Sequence, residues 1–133
     1  MKAFHIDIVS PDGLEFSGEI ESLLVRTDDG DVEILAGHTD LLVSISVGRA
    51  RIIQDGKKRY AAVNGGFLSV KDKKVKLCAI TFEFADQINK KRAEEAKEKA
   101  EEALKSAKTK MDIDVAKAKL LRATSRIGVA EME

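Results

Sequence analysis

The sequence has one cysteine, one proline and no tryptophan among its 133 residues. A single cysteine, Cys78, cannot form an intrachain disulfide or supply a cysteine-based zinc site, which favours a reducing compartment. Basic and acidic residues cancel at 23 each. This balance excludes the global positive field that drives non-specific binding to nucleic acid, so we expect no nucleic-acid partner.

Long apolar runs are also missing. The first residues, MKAFHIDIVS, alternate apolar and polar side chains instead of forming the apolar block of a signal peptide. No stretch approaches the roughly 18 apolar residues that a membrane-spanning helix needs. The sequence therefore predicts a soluble intracellular protein, which could still sit beside a membrane.

Residue patterns typical of catalysis or metal binding are scarce. His38 lies near Asp40, but no recognisable motif places a nucleophile beside it. Gly65 and Gly66 lack the lysine of a phosphate-binding loop and favour a bulge or tight turn. The acidic run at residues 28–31 lacks the ligand spacing of a calcium loop. We predict that the chain is not an enzyme and holds no metal.

What is present divides the chain near residue 85. All six aromatic residues, the only proline and eight of the nine glycines precede this point, whereas alanine, lysine and glutamate dominate after it. The change is one from strand-and-turn composition to helix composition. We predict two domains, residues 1–85 and 86–133.

The first part has the pattern of an antiparallel sheet. Phe4, Ile6 and Ile8 alternate with polar residues, which is typical of a half-buried strand. Asp55-Gly56 separates the runs RARIIQ and KKRYAAV and predicts a two-residue hairpin turn. Many such short runs in one small domain indicate a β-sandwich or barrel.

The second part predicts two helices that form an antiparallel hairpin. The first helix should extend for about 23 residues, and Thr109 with Asp112 resembles the capping box of the second. Because alanine buries little apolar area, the hairpin could open; the alternative is a permanently folded tail. The apolar positions at helical spacing are Ala93, Ala96, Ala100, Ala103 and Ala107, then Ile113, Ala116, Leu120, Ala123, Ile127 and Ala130.

Three cations of the second helix have no acid three or four positions away: Lys119, Arg122 and Arg126. Like charges at this spacing are mutually unfavourable, and the arginine fork suits phosphate or carboxylate. An external anion would explain the arrangement. A basic strip favoured by the dipole near a helix C-terminus is the alternative, and spacing does not decide between them.

Four short sequence segments, in the same order along the chain, resemble the epsilon-subunit family of the bacterial F-type ATP synthase. They are FHIDIVSPDG, GDVEILAGHTDLL (residues 30–42), VNGGFLSV (residues 63–70) and the terminal RIGVAEM. The resemblance implies an α+β protein in two parts, with an N-terminal antiparallel β-sandwich of about ten strands followed by a C-terminal two-helix hairpin.

The same resemblance implies a non-catalytic rotor subunit at the cytoplasmic face of the bacterial membrane, which it would touch only through the complex. Its partners would be the gamma subunit, the c-ring, and the alpha and beta subunits of the catalytic head. In the family the hairpin inhibits ATP hydrolysis through an acidic segment of the beta subunit. The implied c-ring contacts are Asp31, Glu33 and His38, and the implied inhibitory contacts are Lys119, Arg122 and Arg126.

Some family members bind regulatory ATP through an Ile/Leu-Asp-x-x-Arg-Ala motif. In this sequence the motif is Ile-Asn-Lys-Lys-Arg-Ala, and the amide Asn89 replaces the aspartate. No cofactor is required, but regulatory ATP is implied, and a free-standing ATP-sensing protein is the alternative function. The candidate ATP-binding residues are Glu83, Ile88, Asn89, Arg92, Ala93, Arg122 and Arg126.

Overall fold

The computed structural model describes residues 2–132. It divides into a strand unit that ends at Phe84 and a helical unit that begins at Ala85. The strands are β1 (Phe4–Ser10), β2 (Gly13–Ile20), β3 (Ser22–Thr27), β4 (Gly30–Ile34), β5 (Leu41–Gln54), β6 (Lys57–Lys71) and β7 (Lys74–Phe84); a 3-10 turn (Ala85–Gln87) precedes the helices α1 (Lys90–Ser106) and α2 (Lys110–Ala130).

The strand unit is one sheet with the order β2-β1-β7-β6-β5-β3-β4. Every neighbouring pair is antiparallel except β1 and β7, which run parallel. The predicted antiparallel sheet is therefore confirmed except for this one pair. β1 and β7 are the first and last strands of the unit, so the turns between consecutive strands could not have predicted that they pair.

The described residues form seven strands, fewer than the ten expected. The difference arises because β5, β6 and β7 are long, at 14, 15 and 11 residues. Runs that look separate in the sequence, such as LLVSI and RARII, belong to one continuous strand. β5 and β7 pair with β6 along most of their length, whereas β7 pairs with β1 only over residues 75–78 and β5 pairs with β3 chiefly over residues 50–53.

Gly65 and Gly66 interrupt the regular backbone conformation of β6. Both glycines have positive φ, at +67° and +123°, and the ladder between β5 and β6 is interrupted beside them. At Gly66 a Cβ would lie 1.9 Å from the carbonyl oxygen of Cys78. In place of the predicted bulge or tight turn, the two positive-φ glycines lie within one continuous strand, and at Gly66 two backbones approach too closely for any side chain.

The sheet folds back on itself around an apolar core. The backbone N–H of Glu21 donates to the carbonyl of Ile53 at 2.7 Å, which links the segment after β2 to β5. Phe4, Ile6 and Ile8 point into the core, which confirms the predicted alternation. Every strand contributes side chains to the core, although half of the β2 residues are exposed. The largest fully buried side chains of the strand unit are Ile6, Ile8, Ile20, Leu23, Ile34, Ile52, Leu68, Leu77 and Val25.

Two tight hairpins connect the long strands. Asp55 and Gly56 have positive φ between the paired residues Gln54 and Lys57, which confirms the predicted turn. Asp72-Lys73 forms a second two-residue turn, also with positive φ at both positions. This turn contains no glycine, and the carboxylate of Asp40 supports it by accepting from the Asp72 backbone N–H at 3.2 Å.

Both helices of the second unit begin at side-chain caps. Asn89 caps α1 by accepting from the Arg92 backbone N–H at 3.1 Å, and Thr109 caps α2 by accepting from the Asp112 backbone N–H at 3.1 Å. The Thr109 cap confirms the predicted start of α2. At 17 residues, α1 is shorter than expected, because it begins only at Lys90, after the 3-10 turn and the Asn89 cap, and ends at Ser106.

The interface between α1 and α2 is narrow and made of small side chains. Ala93 and Ala100 of α1 are buried one heptad apart and face Ala116 and Ala123 of α2 with the same spacing. The prediction was wrong for two alanines, since Ala96 and Ala103 are exposed. In α1 the buried positions recur every seven residues, so Ala93 and Ala100 are buried while the alanines three positions after each of them are not. Leu104 and Ala107 are half-buried.

Candidate regulatory and docking surfaces

The start of α1 collects four of the candidate ATP-binding residues. Asn89 uses its side-chain oxygen as the helix cap, and Ala93 is fully buried against α2. Ile88 is half-buried and donates its backbone N–H to the carbonyl of Ala85 at 3.3 Å. Arg92 is exposed. Asn89 and Ala93 therefore have structural roles in the hairpin whether or not a ligand binds.

The inhibitory candidates lie along α2. Lys119 is exposed, whereas Arg122 and Arg126 are half-buried. Residues at these spacings occupy one side of a helix. Because α2 runs antiparallel to α1, its C-terminal end lies beside the start of α1, where Glu131 and Lys90 form an ion pair at 3.1 Å. The hairpin thus brings Arg126 to the same end of the unit as Arg92.

Glu83, the remaining ATP candidate, belongs to the strand unit. It lies on β7, is half-buried and is paired in register with Ala62 of β6. Its neighbour Phe84 closes the unit, packing edge-on against Phe82 with ring centroids 5.0 Å apart. The guanidinium of Arg59 lies 3.8 Å from the Phe84 ring centroid and anchors this last residue further.

The two acidic c-ring candidates form ion pairs within the sheet. Asp31 and Glu33 alternate on β4 and so point to one face. Arg26 donates from Nε to Asp31 at 2.7 Å, and Arg51 donates to Glu33 at 2.6 Å. The Arg51 side chain is only 19% exposed. Both carboxylates are thus neutralised locally, which the sequence spacing did not indicate.

His38, the third c-ring candidate, lies in the loop between β4 and β5. Its Nδ1 lies 2.7 Å from the carbonyl oxygen of Thr39, and its backbone N–H donates to Leu35 at 3.2 Å. Asp40 is engaged with the turn at Asp72 instead. These contacts tie His38 and Asp40 to the backbone of two separate turns.

A Ser, His and Asp set does occur on β1 and β2, but its geometry is structural. Ser17 donates its hydroxyl to Asp7 at 2.6 Å, and His5 Nε2 lies 3.0 Å from the same carboxylate oxygen. The Ser17 hydrogen bond, with a smaller contribution from His5, lowers the pKa of Asp7. Because Ser17 donates to the acid, this set is a cross-strand hydrogen-bond network.

Sequence reasoning missed an apolar patch on the outer face of the sheet. Leu42, Phe67 and Ile80 are 72%, 46% and 57% exposed. Phe67 pairs in register with Cys78 of β7, and Leu42 pairs with Ser69, two residues along from Phe67. The three side chains therefore share one face. Their alternation with buried neighbours was visible in the sequence, but the face they point to was not.

Two further properties concern the described chain as a whole. Residues 2–132 contain no group of three or more histidine, cysteine, aspartate or glutamate side chains placed to hold a metal ion. Within the same residues, neither helix combines the length and the apolar character needed to cross a lipid bilayer.

Comparison with known families gives two adjoining matches. Residues 3–85 match the family described as ATP synthase, Delta/Epsilon chain, beta-sandwich domain. Residues 86–131 match the companion family described as ATP synthase, Delta/Epsilon chain, long alpha-helix domain.

Relatives and solved structures agree with these matches. The chain is 39% identical to the ATP synthase epsilon chains of Bacillus velezensis and Desulforamulus reducens, in each case over 98% of both chains. Its fold is similar to a chain of the Euglena gracilis mitochondrial ATP synthase, OSCP/F1/c-ring, with a TM-score of 0.81 at 19% identity, covering 92% of this chain and 78% of that one. Two family matches that together span residues 3–131, and near full-length relatives, show that this chain belongs to the ATP synthase delta/epsilon chain family, whose members are non-catalytic subunits of that complex.

Proposed function

We propose that the chain is a central-stalk subunit that couples rotation of the c-ring to the catalytic head and inhibits ATP hydrolysis through its helical hairpin. Solved structures of similar fold are described as parts of mitochondrial ATP synthases that include the central stalk and the c-ring. In this proposal the subunit is peripheral at the cytoplasmic face of the membrane, and gamma, the c-ring and the alpha and beta subunits are its partners.

The strand unit supplies the docking surfaces. The outward patch of Leu42, Phe67 and Ile80 offers the apolar contact area that protein interfaces need, and we assign it to gamma. The loop with His38 is assigned to the c-ring. Because Asp31 and Glu33 are already paired with arginines, this contact depends on shape and hydrogen bonding more than on net negative charge.

In this proposal the hairpin is the element that inhibits ATP hydrolysis. The observation that supports this role is the weak interface between α1 and α2. The buried contacts between α1 and α2 are mostly alanines, and each alanine buries little apolar area. The free energy that holds the hairpin closed is therefore small enough for a partner to overcome. Once α2 separates from α1, its cations Lys119, Arg122 and Arg126 can reach an acidic surface of the catalytic head.

Replacing Lys119, Arg122 and Arg126 with alanine together should raise ATP hydrolysis by the assembled complex by about fivefold or more, in the range of ordinary couplings between sites. The measurement is steady-state hydrolysis by the complex reconstituted with each variant. A matched control removes three exposed lysines of the hairpin, Lys99, Lys105 and Lys108. Equal stimulation by this control would contradict a specific role for the α2 cations.

A regulatory nucleotide is a second part of the proposal. Arg92 and Arg126 lie at one end of the hairpin, where arginine side chains can bind phosphate groups. Asn89 keeps the capping role that an aspartate would have, since both side chains cap helices equally well. The amide therefore removes a charge from this end of the hairpin without removing the cap.

Calorimetry of ATP with the isolated chain tests this part. Arg126→Ala should weaken ATP binding about tenfold or more, because a charge-assisted hydrogen bond contributes about 1.5–3 kcal/mol. Lys119→Ala, a change of an exposed cation on the same helix, is the control and should have little effect. Binding that ignores Arg126→Ala would remove this residue from the site, and no binding at all would contradict nucleotide regulation.

The alternative of a free-standing nucleotide sensor makes a different prediction. A sensor would be recovered from native membranes without partners, whereas a rotor subunit should co-purify with gamma and the c-ring. Full-length similarity to ATP synthase epsilon chains favours the rotor subunit.

A further inference from the structure

Lys90 and Glu131 join the ends of the hairpin that are farthest apart in the sequence. Lys90 Nζ lies 3.1 Å from Glu131 Oε1, and about half of each side chain is exposed. Lys90 is the first residue of α1, and Glu131 is the C-terminal cap of α2. The ion pair therefore closes the hairpin at the end opposite its connecting loop.

The start of α1 has an unfavourable charge distribution. Lys90, Lys91 and Arg92 place three cations at the positive end of the helix dipole, where anions are favoured. Among the described residues of α1, the first turn contains no acidic side chain. Glu131 brings a carboxylate to this helix end, where the first turn of α1 has none.

The backbone of Glu131 is held in place by the end of α2. Its N–H donates to the carbonyl of Ile127 at 3.2 Å, and the N–H of Met132 donates to Val129 at 3.0 Å. Val129 is buried, as is Ala93 one turn into α1. The carboxylate therefore reaches Lys90 only while the two helices are packed, and the pair breaks when α2 moves away.

We propose that the pair of Lys90 and Glu131 is a salt-sensitive clasp that biases the hairpin toward its closed form. Opening separates the Glu131 carboxylate from the Lys90 ammonium and so costs the electrostatic interaction between them. The regulatory consequence, that closing the clasp relieves inhibition, rests on the proposed function. The clasp itself is a property of the isolated chain.

Hydrogen exchange of the purified full-length chain tests the clasp. At low salt, Lys90→Gln and Glu131→Gln should each increase the opening equilibrium of the helical unit about two- to fivefold, the range for exposed ion pairs. The double variant should open no more than either single variant, because both remove the same interaction. At about 0.5 M salt the differences should disappear through screening.

Lys91→Gln is the matched control, since it removes the same charge from the same turn of α1. It should not increase opening, because the ion pair of Glu131 is formed with Lys90. Additive effects in the double variant, equal effects of Lys90→Gln and Lys91→Gln, or unchanged exchange at low salt would each overturn the clasp. None of these outcomes bears on inhibition, which is measured separately in the assembled complex.

Discussion

Removing residues 86–133 is expected to raise ATP hydrolysis by the assembled complex severalfold while leaving assembly intact. The strand unit ends at Phe84 and has a core of its own, so it should fold and dock without the helices. The proposed docking residues Leu42, Phe67 and Ile80 all remain in the truncated chain. The proposed inhibitory cations are all lost with α2.

Two measurements make this truncation informative. Co-purification with gamma and the c-ring shows whether the shortened chain is incorporated, and ATP-driven ion pumping shows whether rotation stays coupled. A control chain that lacks only residues 132–133 should hydrolyse ATP at the same rate as the full-length chain. Unchanged hydrolysis in a complex that contains the truncated subunit would contradict the proposal that the hairpin inhibits ATP hydrolysis.

Local features of the fold could be predicted from the sequence because short-range physics determines them. The Asp55-Gly56 turn and the Thr109 cap each depend on the conformational preferences of one or two residues. The turn at Asp72-Lys73 escaped prediction because its positive φ values are supported by Asp40, which is distant in the sequence. Neighbouring residues therefore predict a turn or cap only where the contacts that stabilise it also come from neighbouring residues.

Long-range pairing was the part that could not be predicted. The parallel pairing of β1 with β7 joins strands at opposite ends of the unit. The strand count differed partly because Gly65 and Gly66 resemble a strand boundary in the sequence, whereas β6 continues through them. Periodicity marks where apolar residues alternate, but it does not show whether two adjacent runs are one strand.

The candidate surfaces show the same division. The pattern of α2 cations was visible from helical spacing alone, whereas the neutralisation of Glu33 by Arg51 depends on strands β4 and β5 sharing a sheet. Likewise, the approach of Glu131 to Lys90 requires the hairpin to close. Sequence spacing therefore identified charged residues without identifying which of them pair.

The largest expected effect on stability is that of Gly66→Ala. A methyl group at this position would lie 1.9 Å from the carbonyl oxygen of Cys78 and 2.9 Å from the Cα of Ala79, both in the backbone of β7. The φ of +123° is also a conformation that residues with a side chain rarely adopt. Steric overlap and backbone strain together should cost about 3 kcal/mol or more.

Gly18→Ala is the matched control, because it makes the same chemical change in the same sheet. A Cβ at Gly18 meets Phe16 at 3.4 Å, an ordinary contact distance, and the residue has no positive φ. Thermal unfolding should show a melting temperature lowered by about 15 °C or more for Gly66→Ala and little change for Gly18→Ala. A Gly66→Ala chain as stable as the control would mean that β6 and β7 can move apart at this position, so that the methyl group meets no steric overlap.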